Sequence, residues 1–158
     1  MKTLIFAILI TGIALNANAQ KLKESNVPSA VKTTFSSMYP GVKNVKWEKE
    51  DGKYEAGFEE NKIETSVLFD ANGIYTQKEV EIPVSELPDA IKNYVSANLS
   101  GKKIKEASKI TEANGSISYE AEIGNQDYIF DQSGNLLKKE SGEKGEGKEE
   151  GKEDDDDK

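Results

Sequence analysis

The sequence predicts an α+β fold of two tandem αββββ repeats, each an antiparallel four-stranded sheet packed on a helix. Three observations carry that expectation. First, the chain repeats itself at a spacing of about sixty residues. Val27-Pro28-Ser29-Ala30-Val31 returns as Leu87-Pro88-Asp89-Ala90-Ile91, Tyr54-Glu55-Ala56 as Tyr119-Glu120-Ala121, and Phe69-Asp70-x-x-Gly73 as Phe130-Asp131-x-x-Gly134. Second, each copy opens on apolar residues at helical spacing and continues with apolar residues at period two. Third, Gly paired with Asn, Asp or Ser punctuates the period-two stretches, as antiparallel hairpins require. A unit this small buries only about 60% of the surface of its unfolded chain. The two copies are therefore expected to share a core or a sheet.

The elements follow in order. In repeat one, residues 27–82, Pro28 suits a first helical turn, where a missing amide costs nothing, and Val31, Phe35 and Met38 form the stripe that faces the core. Pro40-Gly41 ends that helix. Four strands come next, marked by Val45 and Trp47; by Tyr54, Ala56 and Phe58; by Ile63, Thr65, Val67 and Phe69; and by Ile74 to Val80. Asp51-Gly52 and Asn72-Gly73 supply turns. In repeat two, residues 83–140, Ser85 is expected to cap a helix whose stripe is Leu87, Ile91, Tyr94 or Val95, and Leu99, with Gly101 ending it. Asn114-Gly115, Gly124-Asn125 and Ser133-Gly134 mark the later turns. Residues 20–26 read as a polar lead-in. After Leu137 apolar residues cease, so order is expected to fade from Lys138, leaving 141–158 as a disordered acidic tail of Lys, Glu, Asp and Gly. Its last five residues match an enteropeptidase cleavage sequence of the kind left by expression vectors.

Residues 1–19 have the form of a secretory signal: Lys2, an apolar run from Leu4 to Leu15, then Ala17-Asn18-Ala19. Cleavage is expected after Ala19. The run is shorter than the roughly 20 residues of a bilayer span, so the expected product is exported to the periplasm or beyond, without membrane insertion. The absence of cysteine leaves neither a lipid attachment point nor disulfides.

Composition narrows the chemistry. Without His or Cys, the commonest general base, the best thiol nucleophile and the usual zinc and copper ligands are missing. Gly-x-Ser-x-Gly does not occur to seat a serine nucleophile. The chain is expected not to be an enzyme and to use no cofactor or metal. All 21 basic residues are lysine against 29 acids, a net charge of −8. That balance repels phosphate backbones, so nucleic acid is not an expected partner. Asp70-Ala71-Asn72-Gly73 and Asp131-Gln132-Ser133-Gly134 lack the spacing of a calcium loop and read as turns.

The helix-opening Leu/Val-Pro-x-Ala-Val/Ile, the Tyr-Glu-Ala of the second strand and the Phe-Asp-x-x-Gly before the last strand together resemble the PepSY-like, beta-lactamase-inhibitor-like family of exported bacterial proteins. The likeness covers about residues 24–140. It implies two tandem units whose joined sheet grips a protein, as the concave sheet of the inhibitor that names the fold grips a loop of its target enzyme. Related PepSY domains restrain peptidases, so the resemblance implies an inhibitor or regulator of an extracytoplasmic hydrolase.

Alternation places Lys46, Glu48, Glu55, Gly57, Glu59, Glu64, Ser66 and Leu68 outward in the first repeat, and Ser118, Glu120, Glu122 and Ile129 in the second. Trp47 and Tyr128 fall in phase with the core; Tyr75 is open between core and surface. The expected function is a monomeric, non-catalytic module that binds an extracytoplasmic protein or peptide through this face. Glu55, Glu59, Glu120 and Glu122 offer charge to a basic partner, and Leu68 and Ile129 offer apolar contact. The alternative is a passive envelope protein that binds cations weakly through its acidic tail.

Overall fold

The computed structural model describes residues 20–141; the expected signal peptide and residues 142–158 of the expected tail lie outside the described residues. Nine strands form one sheet in chain order, each antiparallel to its neighbours: β1 (Gln20–Leu22), β2 (Lys46–Glu50), β3 (Lys53–Glu60), β4 (Ile63–Phe69), β5 (Tyr75–Glu81), β6 (Ile104–Glu112), β7 (Ile117–Ile123), β8 (Gln126–Asp131) and β9 (Leu136–Ser141). Helices α1 (Ser29–Met38) and α2 (Asp89–Asn98) precede β2 and β6, each introduced by a short 3₁₀ turn, Glu24–Asn26 or Val84–Glu86.

The α+β expectation holds, and one open point of its architecture is decided. Two four-stranded sheets joined through either a core or a shared sheet were expected; they are joined as one sheet, since β5 pairs with β6 from Gln77↔Glu112 to Glu81↔Ser108. The cores stay separate. Val31 and Phe35 of α1 pack with Val27, Trp47, Ala56, Phe58, Val67 and Phe69, whereas Ile91 and Val95 of α2 pack with Leu87, Ala107, Ala121, Ile123, Tyr128 and Phe130. Fully burying a side chain such as Phe69 or Phe130 contributes about 1.5–3 kcal/mol.

The first core is aromatic. The Phe35 ring lies 5.4 Å from Trp47 and 5.3 Å from Phe58, both edge-on. Met38, assigned to this stripe by spacing, is instead 41% exposed. The helix stops one residue later: Tyr39 leaves helical geometry (φ −127°, ψ 65°) and turns its ring onto Phe58, 4.7 Å away, taking the place expected for Met38. In the second core Tyr94 meets Phe130 edge-on at 5.2 Å. Ser85 does not cap α2; Pro88 holds the N-cap position without a side-chain bond, and the Ser85 carbonyl accepts from Lys92 Nζ at 3.2 Å.

Two further differences, and the open assignment of Tyr75, bear on the sheet. The lead-in contributes β1, which pairs with β2 from Gln20↔Lys49 to Leu22↔Trp47. Order does not fade at Lys138, because β9 pairs with β8 as far as Gln126↔Ser141. Tyr75 is half-buried, and its hydroxyl donates to the Thr111 carbonyl at 3.1 Å, tying β5 to β6. Burial pushes that phenol's pKa up, and Tyr39 and Glu112 add to the rise.

Candidate protein-binding face

Strand register divides the sheet into two faces. Trp47, Ala56 and Val67 are mutual partners and all buried, which fixes the helix side; the residues one step along each strand project from the other face. On that open face run the cross-strand rows Lys46–Gly57–Ser66–Glu79–Ile110–Ser118 and Glu48–Glu55–Leu68–Gln77–Glu112. A third row, Glu81–Ser108–Glu120–Ile129–Lys138, crosses the second half.

Every residue singled out by alternation projects from this face. Glu55 sits directly opposite Leu68, and Glu120 directly opposite Ile129, so each half of the sheet sets one carboxylate beside one aliphatic side chain. Glu122 lies two residues from Glu120, and its Oε1 accepts from Lys105 Nζ at 2.8 Å. Glu59 lies toward the β3–β4 turn and faces Glu64, away from Leu68. The site residues therefore form two groups, on β3–β4 and on β7–β8, rather than one.

Like charges face one another repeatedly here. Glu48 pairs with Glu55, Glu59 with Glu64, Glu106 with Glu122, Glu122 with Asp127, and Asp127 with Glu140. Directly opposed like charges destabilise a sheet. Lys21 stands opposite Glu48 and Lys105 bonds Glu122, yet carboxylates outnumber lysines along these rows, so the face attracts a cation.

One contributor escaped the alternation argument. Ile110 projects from the open face, between Glu79 and Ser118, yet is only 6% exposed. Ile104 and Ala107, three apart, both face α2 because β6 carries a bulge between Ile104 and Glu106; beyond it regular alternation sets Ile110 on the open face. A bulge inserts a residue and inverts the phase beyond it, so simple period two does not reveal which way Ile110 points. The irregular spacing was the available signal.

The chemistry of the remaining surface is spare. Among the described residues no group of three or more acidic side chains is placed to hold a metal ion, and no helix is long and apolar enough to cross a membrane. Asp70 and Asp131, which frame the calcium-like stretches, spend their carboxylates on their own turns. Asp70 Oδ1 accepts from the Asn72 and Ile74 amides, both at 2.8 Å; Asp131 Oδ1 accepts from those of Ser133 and Asn135 at 2.8 and 2.9 Å. Two clefts flank the C-terminal ends of the helices. One, of about 490 Å³, is lined by Val95, Leu99, Lys102, Lys103 and Ile104; the other, of about 330 Å³, by Lys32, Phe35, Lys43 and Trp47. Neither brings together the pair of carboxylates that acid–base chemistry would need.

A helix-covered face and an open, acid-lined face on one antiparallel sheet define a class of small α+β proteins with a broad open surface. The family model described as "Putative beta-lactamase-inhibitor-like, PepSY-like" matches residues 13–75 and 52–138, and the chain belongs to that family. Among solved structures, a periplasmic protein candidate from Bacteroides eggerthii is similar at 20% identity and TM-score 0.63, over 73% of this chain and 88% of that one. A DUF2874 family protein from Bacteroides uniformis matches at 20% identity and TM-score 0.63, over 72% and 88%. A BLIP-like protein from Bacteroides fragilis matches at 21% identity and TM-score 0.56, over 76% and 90%. These likenesses show the fold. No curated protein matches the chain.

Proposed function

We propose that this protein is an exported, non-catalytic binding module, built from a duplicated αββββ unit, that holds a protein or peptide on the open face of its sheet. The carrying observation is the set of carboxylates opposed across that face, headed by Glu48↔Glu55 and Glu106↔Glu122. A basic partner is attracted to the excess of carboxylates, which makes charge complementarity the main source of specificity. Glu55, Glu59, Glu120 and Glu122 supply the charge, and Leu68 and Ile129 the apolar contact. The family description and the periplasmic naming of a structural neighbour support an extracytoplasmic setting, and within it a hydrolase restrained by the bound module.

The test is capture from envelope and supernatant fractions with the mature chain, beside a Glu55→Lys/Glu120→Lys variant. The variant should lose the retained protein while its thermal midpoint stays nearly unchanged, since neither residue belongs to a core. Equal retention by both chains would remove the open face from the function.

A further inference from the structure

The two groups on the open face are copies of one another in sequence and in geometry. Glu55 opposes Leu68 where Glu120 opposes Ile129, and these residues occupy matching places in the repeated Tyr-Glu-Ala and aliphatic-Phe-Asp motifs. Leu68 lies on β4 and Ile129 on β8, four strands apart. Their rows meet β6 at Glu112 and Ser108, and Ile110 stands midway between those two residues. With strands about 4.8 Å apart and residues about 3.4 Å apart, Leu68 and Ile129 lie roughly 23 Å from one another across the face. Ile110 is the apolar midpoint of that diagonal.

We infer that the open face reads two cationic–apolar elements of one partner segment at once, one at Glu55–Leu68 and one at Glu120–Ile129. This rests on the binding role proposed for the face and specifies its ligand: a chain carrying an apolar residue beside a lysine or arginine, twice, about six to eight residues apart if extended. One element engages one half-buried carboxylate and one aliphatic contact, each of modest strength. Two elements on one chain convert the second contact into an intramolecular event, so affinity depends on spacing as well as composition. An acidic segment of the same length is repelled by the carboxylates, and an uncharged one lacks the charge contact.

The test uses synthetic peptides and the full mature chain at physiological salt, read by calorimetry or fluorescence polarisation. The two-element probe is Leu-Lys joined to a second Leu-Lys by three Gly-Ser dipeptides. The controls are one Leu-Lys followed by Gly-Ser repeats to equal length, and the two-element probe with Glu in place of Lys. The two-element cation should bind at least about tenfold tighter than the one-element cation. Leu68→Ser or Ile129→Ser, each with an unchanged circular dichroism spectrum, should bring it down to the one-element level. Equal binding of the one- and two-element cations overturns the two-point reading while leaving the face as a cation-binding surface. Binding of the Glu probe as tight as the Lys probe, or no binding of either cation, overturns the acidic-face reading as well.

Discussion

Gly73 rests on Ala30. A β-carbon at Gly73 would lie 2.6 Å from both the carbonyl carbon and the carbonyl oxygen of Ala30 in the first turn of α1, and Gly73 also has a φ of +79°. The turn before β5 is thus pressed against the start of the helix. Gly134 stands in the same relation to Ala90 of α2, with φ +83°. The two parts of each repeat that recur most faithfully in sequence are the two that touch.

The glycine contacts predict unequal rescue. Gly73→Ala and Gly134→Ala should each cost about 2–4 kcal/mol in urea denaturation, combining overpacking with a left-handed backbone. At Gly134 the nearest obstruction is the Ala90 side-chain methyl at 2.6 Å, whereas at Gly73 it is backbone. Ala90→Gly should therefore recover part of the Gly134→Ala loss, while Ala30→Gly recovers little of the Gly73→Ala loss. Gly52→Ala, with nothing within 4 Å of the added carbon, should cost only the backbone share, about 1 kcal/mol. Equal rescue at both sites would contradict the contact geometry.

The β3–β4 hairpin contains a correctable strain. Asn61 and Lys62 both take positive φ, +54° and +66°, between strands that end at Glu60 and resume at Ile63. Such two-residue turns favour Asn followed by Gly. Lys62→Gly should stabilise the protein by about 0.5–1 kcal/mol, the relief of a left-handed lysine offset by the entropy of glycine. A lower urea midpoint for the variant would count against this account.

That same turn shows where sequence reading stopped. Asp51-Gly52 and Asn72-Gly73 announced themselves through glycine, whereas Asn61-Lys62 makes an equally tight turn with no glycine to mark it. Strand facing was legible at Glu55, Leu68, Glu120 and Ile129 because a regular pleat alternates strictly. It was not legible at Ile110, beyond the bulge in β6. The joining of the halves was open to either a core or a sheet, since Gln77–Glu81 and Ser108–Glu112 are largely polar and a ladder is made by backbone, which composition does not report. Met38 and Tyr39 compete for one position, and only the backbone break after the helix decides between them.

The aromatic first core should be the more sensitive to truncation. Phe35 contacts Tyr39, Trp47, Phe58 and Phe69 at centroid distances of 5.5, 5.4, 5.3 and 6.5 Å, whereas its counterpart in α2 is the smaller Val95. Phe35→Ala should cost about 3–5 kcal/mol and Val95→Ala about 2 kcal/mol. Trp47, the sole tryptophan, lies against Phe35, so native-state fluorescence should shift in Phe35→Ala and hold in Val95→Ala. A shift of equal size in both variants would mean that the two cores are coupled more strongly than their separate packing indicates.

Acid should act on the two Asp turns together. The Ile74 amide, with Asn72 and Gly73 adding to it against the opposing effect of burial, holds the Asp70 carboxyl below the usual aspartate range; the Asn135 side chain and amide do the same for Asp131. A carboxylate whose folded pKa is depressed favours the folded state above its unfolded pKa, near 4, and that contribution disappears as pH falls through the lower folded value. Stability should therefore drop as pH falls below about 4, and urea midpoints at successively lower pH measure the drop. In Asp70→Asn/Asp131→Asn the side-chain oxygen can still accept the turn amides but no longer titrates, so the midpoint should start lower near neutrality and fall less steeply with acid. Asp89, lowered by its bond to Lys92, remains in the variant and keeps some slope. Parallel acid limbs for the variant and the parent would show that the turn carboxylates are not what acid attacks first.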